Sequence, residues 1–354
     1  MLLSRLAEHV YWAGRYLERA EATARLVRIS TELYLDLPRS VSVGWRPMLA
    51  VTGSAEAYEA VVAPDAGAGA VATEEQQIVS FLTTAKDNPG SVLQCLTAAR
   101  TNLRSVRALL PRAGWEVANG LHIWAHEHAE LAVPRRSRIE WLESIVRQCQ
   151  TMAGLLDGVM SHDQAYAFLQ IGRQLERADM TTRVIDVQAS ILLDHRLGDG
   201  TLPYADVTWM AVLKSVSARQ MFRRVASAGV SGPRALEFLL CDPQFPRSVE
   251  HCLTKLSQRL LELPHHDEAM KACATAQRAL TETDLAGVNG PELHDFLDGL
   301  QCRLADVHDA ASATWFTPEV QIVALPEDDA GTTLAPTGQS QSQSQSQSQP
   351  ATVG

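Results

Sequence analysis

The chain has 354 residues, and 46% of them are hydrophobic, which is enough apolar material to bury the core of one large domain or two ordinary ones. Its 31 Lys and Arg residues are outnumbered by 41 Asp and Glu residues, and the net charge of −10 argues against a general surface for nucleic acids or anionic membranes. We therefore expect a globular protein that binds neither nucleic acid nor membrane.

The cysteines and the N-terminal stretch indicate a cellular location. The six cysteines form no C-x-x-C pairs, so their spacing predicts neither a zinc site nor a disulfide framework, and they are typical of buried thiols in a cytosolic protein. Charge appears at Arg5 and Glu8 before any apolar run long enough for a signal peptide, and no later run is long enough to span a bilayer. These features predict a cytoplasmic protein.

The first predicted element is a long helix that ends near Leu37, before Pro38. Its apolar and small residues are separated by steps of three and four, which predicts a helix packed lengthwise against another helix. This seam consists of Leu3, Leu6, Val10, Ala13, Leu17, Ala20, Ala24 and Val27.

A charged stripe lies beside this seam. Steps of three, four and seven place Glu18, Glu21 and Arg25 at nearly the same angle on the helix, and Arg15 and Arg19 lie on the neighbouring face.

Loops and further helices follow. Residues 63–75 (APDAGAGAVATEE) predict a loop, and residues 133–138 (VPRRSR) predict a short charged turn. A helix begins after Pro89 in NPGSVLQCLT and stops near Pro111. The remaining predicted helices span residues 139–160, 266–283 and 291–315. Residues 318–354, which include QSQSQSQSQ, predict a disordered tail.

The chain contains a second copy of its first half. GRYLERAEATARLV from Gly14 matches GRQLERADMTTRVI from Gly172, and the charged residues recur as Arg173, Glu176, Arg177, Asp179 and Arg183. Three further anchors recur in the same order at offsets of 157 to 164, namely WRPML with WMAVL, FL with FL, and NPGSVLQCLT with FPRSVEHCLT. The pattern predicts an all-α, tandem-duplicated helical bundle with internal pseudo-twofold symmetry. We place the first repeat at residues 1–135 and the second, packed with it as one domain, at residues 136–317.

The repeated charges have two interpretations. In the first, they are structural ion pairs buried where the copies pack, which persist because removing one partner strands a charge. In the second, the arginines clamp a carboxylate or phosphate while Glu18 and Glu176 act on a proton or a metal. The sequence leaves both open.

A second group of cations occurs in one copy only. Arg100, Arg104 and Arg107 share a helix face, whereas the matching positions of the second copy are Ser257, Leu261 and Pro264. The shared fold does not demand this basic stripe, which is consistent with anion binding, assisted by Asn102, and equally with a solvated or salt-bridged face.

Other site motifs are missing from the sequence. His122 and His126 lie one turn apart near His128, but no carboxylate completes a recognised metal pattern and we predict no metal site. Phosphate-loop, dinucleotide and nucleophile-elbow patterns are also missing, so the sequence gives no case for ATP binding by this chain alone.

The paired G-R-x-L-E-R-A segments, NPGSVLQCLTAARTNLRSVR and GWEVAN together resemble the bacterial alpha-E family, a domain of unknown function, from Met1 to about Trp315. On this resemblance, Trp115, Glu116 and Asn119 of GWEVAN join the candidate ligand-binding residues. One departure is Thr101, where the family pattern is expected to carry an acid between Arg100 and Asn102; a catalytic role for that acid would put activity here in doubt.

The resemblance implies an all-helical protein encoded beside, or fused to, a circularly permuted ATP-grasp protein, often with a transglutaminase-like protein nearby. ATP-grasp enzymes activate a carboxylate as an acyl phosphate and join it to an amine. ATP and Mg are therefore implied only through a partner, and the expected substrate is a peptide or amino acid.

Three hypotheses follow for function. The first is an accessory or substrate-binding subunit that holds a carboxylate or phosphate with the arginines of both copies. The second is an enzyme of peptide modification or transfer that uses Glu18 and Glu176 as acid and base. The third is a structural scaffold in which every motif arginine is closed by a salt bridge.

Overall fold

Helices are the only regular secondary structure in the part of the chain that the structure describes. The computed structural model describes residues 2–36, 44–62, 72–194, 205–226, 229–285 and 290–317. The helices in these ranges are α1 (Ser4–Asp36), α2 (Arg46–Val51), α3 (Ala55–Val62), α4 (Glu74–Thr83), α5 (Val92–Ser105), α6 (Arg112–Glu127), α7 (Arg135–Val159), α8 (Gln164–Asp194), α9 (Ala205–Ser215), α10 (Arg219–Val225), α11 (Gly232–Cys241), α12 (Val249–Leu260), α13 (Asp267–Glu282) and α14 (Gly290–Ala311). The all-α prediction is confirmed.

The two long helices α1 and α8 pack against each other and form the centre of the bundle. Their closest approach is at the two glycines of the repeated motif. A Cβ atom on Gly14 would overlap the carbonyl oxygen of Leu169, and a Cβ atom on Gly172 would overlap the carbonyl oxygen of Tyr11. Only glycine allows two helix backbones to come this close, so the repeated glycine sets the distance between α1 and α8.

The remaining long helices form two matching sets, one around α1 and one around α8. Helices α5 and α7 pack on α1, and α6 packs on both of them. Helices α12 and α14 pack on α8, and α13 packs on both of those. One continuous apolar core runs through these layers, and residues Met1–Pro318 form one compact unit.

The division of the chain into repeats stays a prediction, as does the pseudo-twofold symmetry of the whole bundle. The tail at residues 318–354 lies outside the described residues, as does most of the loop predicted at 63–75.

Several predicted boundaries are wrong in detail. The turn predicted at residues 133–138 is mostly helix, because α7 begins at Arg135. The helix expected to reach Pro111 ends at Ser105, and a short 3-10 turn, Arg107–Leu109, follows it. The last predicted helix ends as a π-helical turn over Ser312–Phe316.

None of the helices in the described ranges is both long and apolar enough to cross a membrane. The prediction of buried thiols holds for Cys95, Cys149, Cys252 and Cys273, whereas Cys241 is partly exposed and Cys302 is exposed.

Candidate functional site: an arginine–glutamate network and a basic cavity

The Glu176 carboxylate on α8 is held by two arginines of α1. Arg15 donates from Nε to Oε2 at 2.5 Å, and Arg19 donates to both oxygens, from Nε at 2.5 Å and from Nη2 at 3.0 Å. Glu176 is fully buried, while the side chains of Arg15 and Arg19 are 12% and 29% exposed. The carboxylate is therefore out of reach of a substrate.

The Glu18 carboxylate on α1 is held in the reciprocal way by α8. Arg177 donates from Nε at 3.0 Å and from Nη2 at 2.7 Å, and Arg173 donates from Nε at 3.2 Å. A third guanidinium, that of Arg247, also binds Glu18. The two glutamates thus exchange arginine partners across the α1–α8 contact, at the offset of 158 that separates the repeated motifs.

Glu21 and Arg25 extend this network one turn further along α1. Glu21 binds Arg25 and accepts hydrogen bonds from Arg247 at 2.7 Å and from Gln150 at 3.1 Å. Arg25 also donates to the carbonyl oxygen of Ser215 at 3.4 Å. Both Glu21 and Arg25 are buried.

The arginines fix both glutamates as carboxylates. Burial alone would raise the pKa of Glu18, yet Arg177, Arg247 and Arg173 together hold it well below its ordinary value. Burial opposes Arg15 and Arg19 at Glu176 in the same way, and the pKa of Glu176 is also lowered. A general base needs a pKa near the working pH and contact with its substrate, and these two buried carboxylates have neither.

Access to Glu18 is restricted to about the size of water. A small cavity of about 20 Å³ lies against Glu18, Glu21 and Arg173, with room for roughly one water molecule. The buried ion-pair interpretation of the repeated charges therefore describes both glutamates.

We call Glu18 and the arginines that bind it the Glu18 arm of the network, and Glu176 with Arg15 and Arg19 the Glu176 arm. The outer edge of the Glu18 arm opens into a larger cavity of about 480 Å³ between α7, α8 and α12. Four cations line it, and we define it by them as the basic cavity: Arg173, Arg177, Lys255 and Arg259. Asp157 is the one carboxylate among its described lining residues, and it already binds the Tyr166 hydroxyl. The Arg259 guanidinium lies 5.1 Å from the centre of the Tyr166 ring. Such a surface attracts anions.

A buried polar atom at the basic cavity has no partner. Gln174 lines the cavity and is 8% exposed, and its Oε1 has no hydrogen-bond partner among the described residues. Its Nε2 contacts Oε1 of Gln170 at 3.5 Å. Unsatisfied buried polar atoms are rare in folded proteins and point to an additional group at the site.

The matching positions in the first half of the chain carry different residues. Gln170 and Gln174 correspond to Trp12 and Tyr16, whose rings stack 5.4 Å apart and pack partly against the core. Lys255 corresponds to Ala98 at the offset of 157. The shared helical framework therefore does not require a basic cavity.

The second predicted cation group is only partly assembled. Arg100 and Arg107 place their guanidinium groups 5.8 Å and 5.4 Å from the Trp115 ring, and Arg100 donates to Oδ1 of Asn119 at 2.7 Å. Arg104 is exposed and lies outside these contacts. The predicted residues that assemble here are therefore Arg100, Arg107, Trp115 and Asn119.

The remaining predicted ligands lie in separate pairs. Asn102 binds Nδ1 of His9 at 2.8 Å, so it does not join the arginines. Glu116 binds the exposed Arg112 one turn away, and Asp179 binds Arg183 in the same i,i+4 manner. Thr101, the departure from the expected pattern, is exposed.

The histidines of α6 lie close together without an acid. The rings of His122 and His126 are 4.2 Å apart, and burial, with His126 and Arg100 nearby, lowers the pKa of His122 to about 4. In the described part of the chain, no group of three or more His, Cys, Asp or Glu residues is arranged to hold a metal ion.

Sequence reasoning missed three cations of this region, Arg247, Lys255 and Arg259. Arg247 replaces Gly90 within the matched segments NPGSVLQCLT and FPRSVEHCLT. The comparison of copies that singled out Arg100 could have found it, because a cation that replaces glycine in one copy is the same kind of asymmetry.

A separate buried pair was also missed. Arg138 on α7 is 1% exposed and binds Glu75 at 2.7 Å, and Arg135 binds the same carboxylate. Arg138 also lies 5.6 Å from the Trp45 ring. This pair ties α4 to α7 and lies apart from the basic cavity.

Comparisons with known proteins identify relatives without a known function. The Alpha-E family model, described as a predicted alpha-helical domain with a conserved ER motif, matches residues 2–316, and this chain carries Glu-Arg at 18–19 and 176–177. Proteins of Mycobacterium bovis and Mycobacterium tuberculosis, both described as uncharacterized, are 28% identical to it over 336 residues. The match covers 88% of this chain and 36% of each relative, so the chain spans about a third of the length of these curated relatives. No solved structure matches it significantly.

Proposed function

The chain belongs to the Alpha-E family, and we propose that it is the anion-binding accessory component of an amide-bond forming or modifying system that uses an ATP-grasp enzyme. The observation that carries the proposal is the basic cavity, in which four cationic side chains meet between α7, α8 and α12. Its occupant would be the carboxylate or phosphate of a peptide or amino-acid substrate.

The buried network supports this assignment over an enzyme centred on Glu18 and Glu176. Each of these carboxylates is buried, paired with arginines and has a lowered pKa, so neither is placed to exchange a proton with a substrate. The network serves instead as a support that fixes Arg173 and Arg177. Fixed guanidinium groups bind an anion with little loss of side-chain entropy.

The basic cavity also separates the proposal from that of a purely structural scaffold. A scaffold requires the buried ion pairs, but it does not require Lys255 and Arg259 on the opposite wall of an open cavity. The unpaired Oε1 of Gln174 at the same place gives a second reason to expect a ligand.

The proposed partner is a circularly permuted ATP-grasp protein, which would supply ATP, Mg and the acyl phosphate chemistry. A transglutaminase-like protein is a further proposed member of the system. In this arrangement the present chain presents the substrate, and the partner performs the covalent step.

The proposal is tested by combining the purified chain with the ATP-grasp partner. We expect a complex at micromolar concentration and release of ADP, in the presence of mixed amino acids and short peptides, that depends on the chain. The double variant Lys255→Gln/Arg259→Gln should keep the complex and lose most of this ADP release, because its cavity attracts anions less strongly.

The matched control is Lys271→Gln/Arg278→Gln, which makes the same change of charge on the exposed face of α13. The control should behave like the unmodified chain. If no complex forms, or if the cavity variant and the control release ADP equally, the proposal is wrong.

A further inference from the structure

The Glu18 arm of the network holds more positive than negative charge. Four guanidinium groups share two carboxylates in this buried cluster, whose members are Arg25, Arg173, Arg177, Arg247, Glu18 and Glu21. The difference of four and two leaves an excess of two positive charges.

This excess is unfavourable in a buried site. Charge removed from water raises the free energy of the folded protein unless opposite charge accompanies it. Burial and the nearby Arg247 lower the pKa of Arg25 to about 10, and burial and Arg177 lower the pKa of Arg173. Both guanidinium groups keep their protons at neutral pH, so loss of a proton does not relieve the excess.

The excess charge faces the basic cavity. Arg173 and Arg177 belong both to the cluster and to the cavity wall, and the Arg173 side chain is 23% exposed. Of the two other cavity cations, Arg259 binds Glu262 at 2.8 Å, and Lys255 donates to Oε1 of Gln258 at 3.1 Å. The cluster therefore adds an excess of two positive charges to this wall of the cavity, through Arg173 and Arg177.

The Glu176 arm provides a comparison within the same protein. There two arginines share one carboxylate, so the excess is a single charge, and the guanidinium groups of Arg15 and Arg19 stack on Trp12 and Tyr16 at 5.7 Å and 5.9 Å. Aromatic faces partly compensate a cation. The Glu18 arm has twice this excess, and its matching positions carry Gln170 and Gln174.

We propose that the basic cavity selects a group with two negative charges, a phosphate monoester or a dicarboxylate, over a group with one. A dianion at Arg173 and Arg177 would balance the excess of the buried cluster, whereas a monoanion would leave one charge uncompensated. This inference rests on the proposed function and narrows its anion to one charge class.

The test compares pairs of ligands that differ by one charge. Isothermal titration calorimetry at constant ionic strength, in mildly alkaline buffer, measures the affinity of methyl phosphate against dimethyl phosphate and of malonate against monomethyl malonate. In each pair, methylation removes one negative charge and changes the size little. We expect the dianion to bind at least about tenfold more tightly, which corresponds to roughly one charge-assisted hydrogen bond.

The variant Gln174→Glu tests the charge balance itself. It adds one carboxylate at the cavity with almost no change of shape, so the preference for dianions should fall by about tenfold. Lys271→Gln on α13 is the control and should leave the preference unchanged. Thermal melting of each variant establishes that it is folded.

The outcomes separate this inference from the proposed function. A dianion preference in both pairs, or in one pair alone, supports the inference, and the pair that shows it identifies the phosphate or the dicarboxylate source. Equal affinity for dianions and monoanions overturns the inference and leaves the proposed anion site standing. Binding of none of the four ligands at millimolar concentration overturns both.

Discussion

At the scale of residues, the main finding is that Glu18 and Glu176 hold two helices together. Each carboxylate lies at the α1–α8 contact and accepts hydrogen bonds from arginines of the facing helix. The loss of one partner would leave a buried charge unpaired, which is strongly unfavourable. We therefore expect these pairs to contribute more to the specific pairing of the two helices than to net electrostatic attraction.

The variant Glu176→Gln should lower the free energy of unfolding by about 3–5 kcal/mol at neutral pH, because Arg15 and Arg19 would stay buried without a carboxylate. The pKa of Glu176 is lowered in the folded protein, so its contribution is present above the ordinary value of 4.5 and is lost as the pH falls below it. Denaturant unfolding should therefore show a gap between wild type and variant that narrows in acid.

The control for this prediction is Glu116→Gln, which changes an exposed glutamate paired with the exposed Arg112. Exposed pairs of this kind contribute roughly 0–1 kcal/mol, so the control should unfold almost like wild type. A Glu176→Gln protein as stable as this control at neutral pH would contradict the structural role.

At the scale of elements, the contact between α1 and α8 depends on two glycines. Gly14→Ala should lower the free energy of unfolding by about 1–3 kcal/mol or more, because the new methyl group would overlap the Leu169 carbonyl oxygen and push the helices apart. Thermal or denaturant unfolding measures the effect.

Gly120→Ala on α6 is the matched control, since nothing lies within 4 Å of the position that its new methyl group would take. Alanine favours a helix over glycine by about 0.5–1 kcal/mol, so this variant should be as stable as wild type or slightly more stable. Equal stability of Gly14→Ala and Gly120→Ala would show that the close approach of α1 and α8 is unimportant.

The sequence predicted these elements better than their partners. Periodicity placed the seam of α1 and the matching seam of α8, because helical geometry alone decides which residues share a face. Periodicity does not show which side chains of a facing helix pair with a charged stripe. The sequence placed Arg19 on the face beside Glu18 without naming its partner, which is Glu176 on α8.

The start of α7 and the burial of Arg138 were also hard to predict. Arg138 was predicted to lie in a short charged turn after Pro134, yet it lies in the first turn of α7 and is buried against Glu75. The burial of an arginine depends on an acid that approaches from another element, here α4, and no local pattern in the sequence contains that information.

At the scale of the whole molecule, the structural network and the proposed ligand site are neighbours that share residues. The α1–α8 contact fixes Arg173 and Arg177 from one side, and α7 and α12 complete the basic cavity on the other. The basic cavity itself was not predicted, because Lys255 and Arg259 become its wall only when α12 packs on α8. The proposed function depends on the binding of an anion in this cavity.

Anomalous diffraction from crystals soaked in selenate tests this claim most directly, because selenate is a dianion whose selenium can be located without ambiguity. We expect a selenium peak within the basic cavity, with selenate oxygens in hydrogen-bond contact with Arg173 or Arg177 and with Lys255 or Arg259. Crystals of Lys255→Gln/Arg259→Gln should lack the peak. An empty cavity in the wild-type crystal at saturating selenate, or selenate bound only at the Trp115 surface of Arg100 and Arg107, would contradict it.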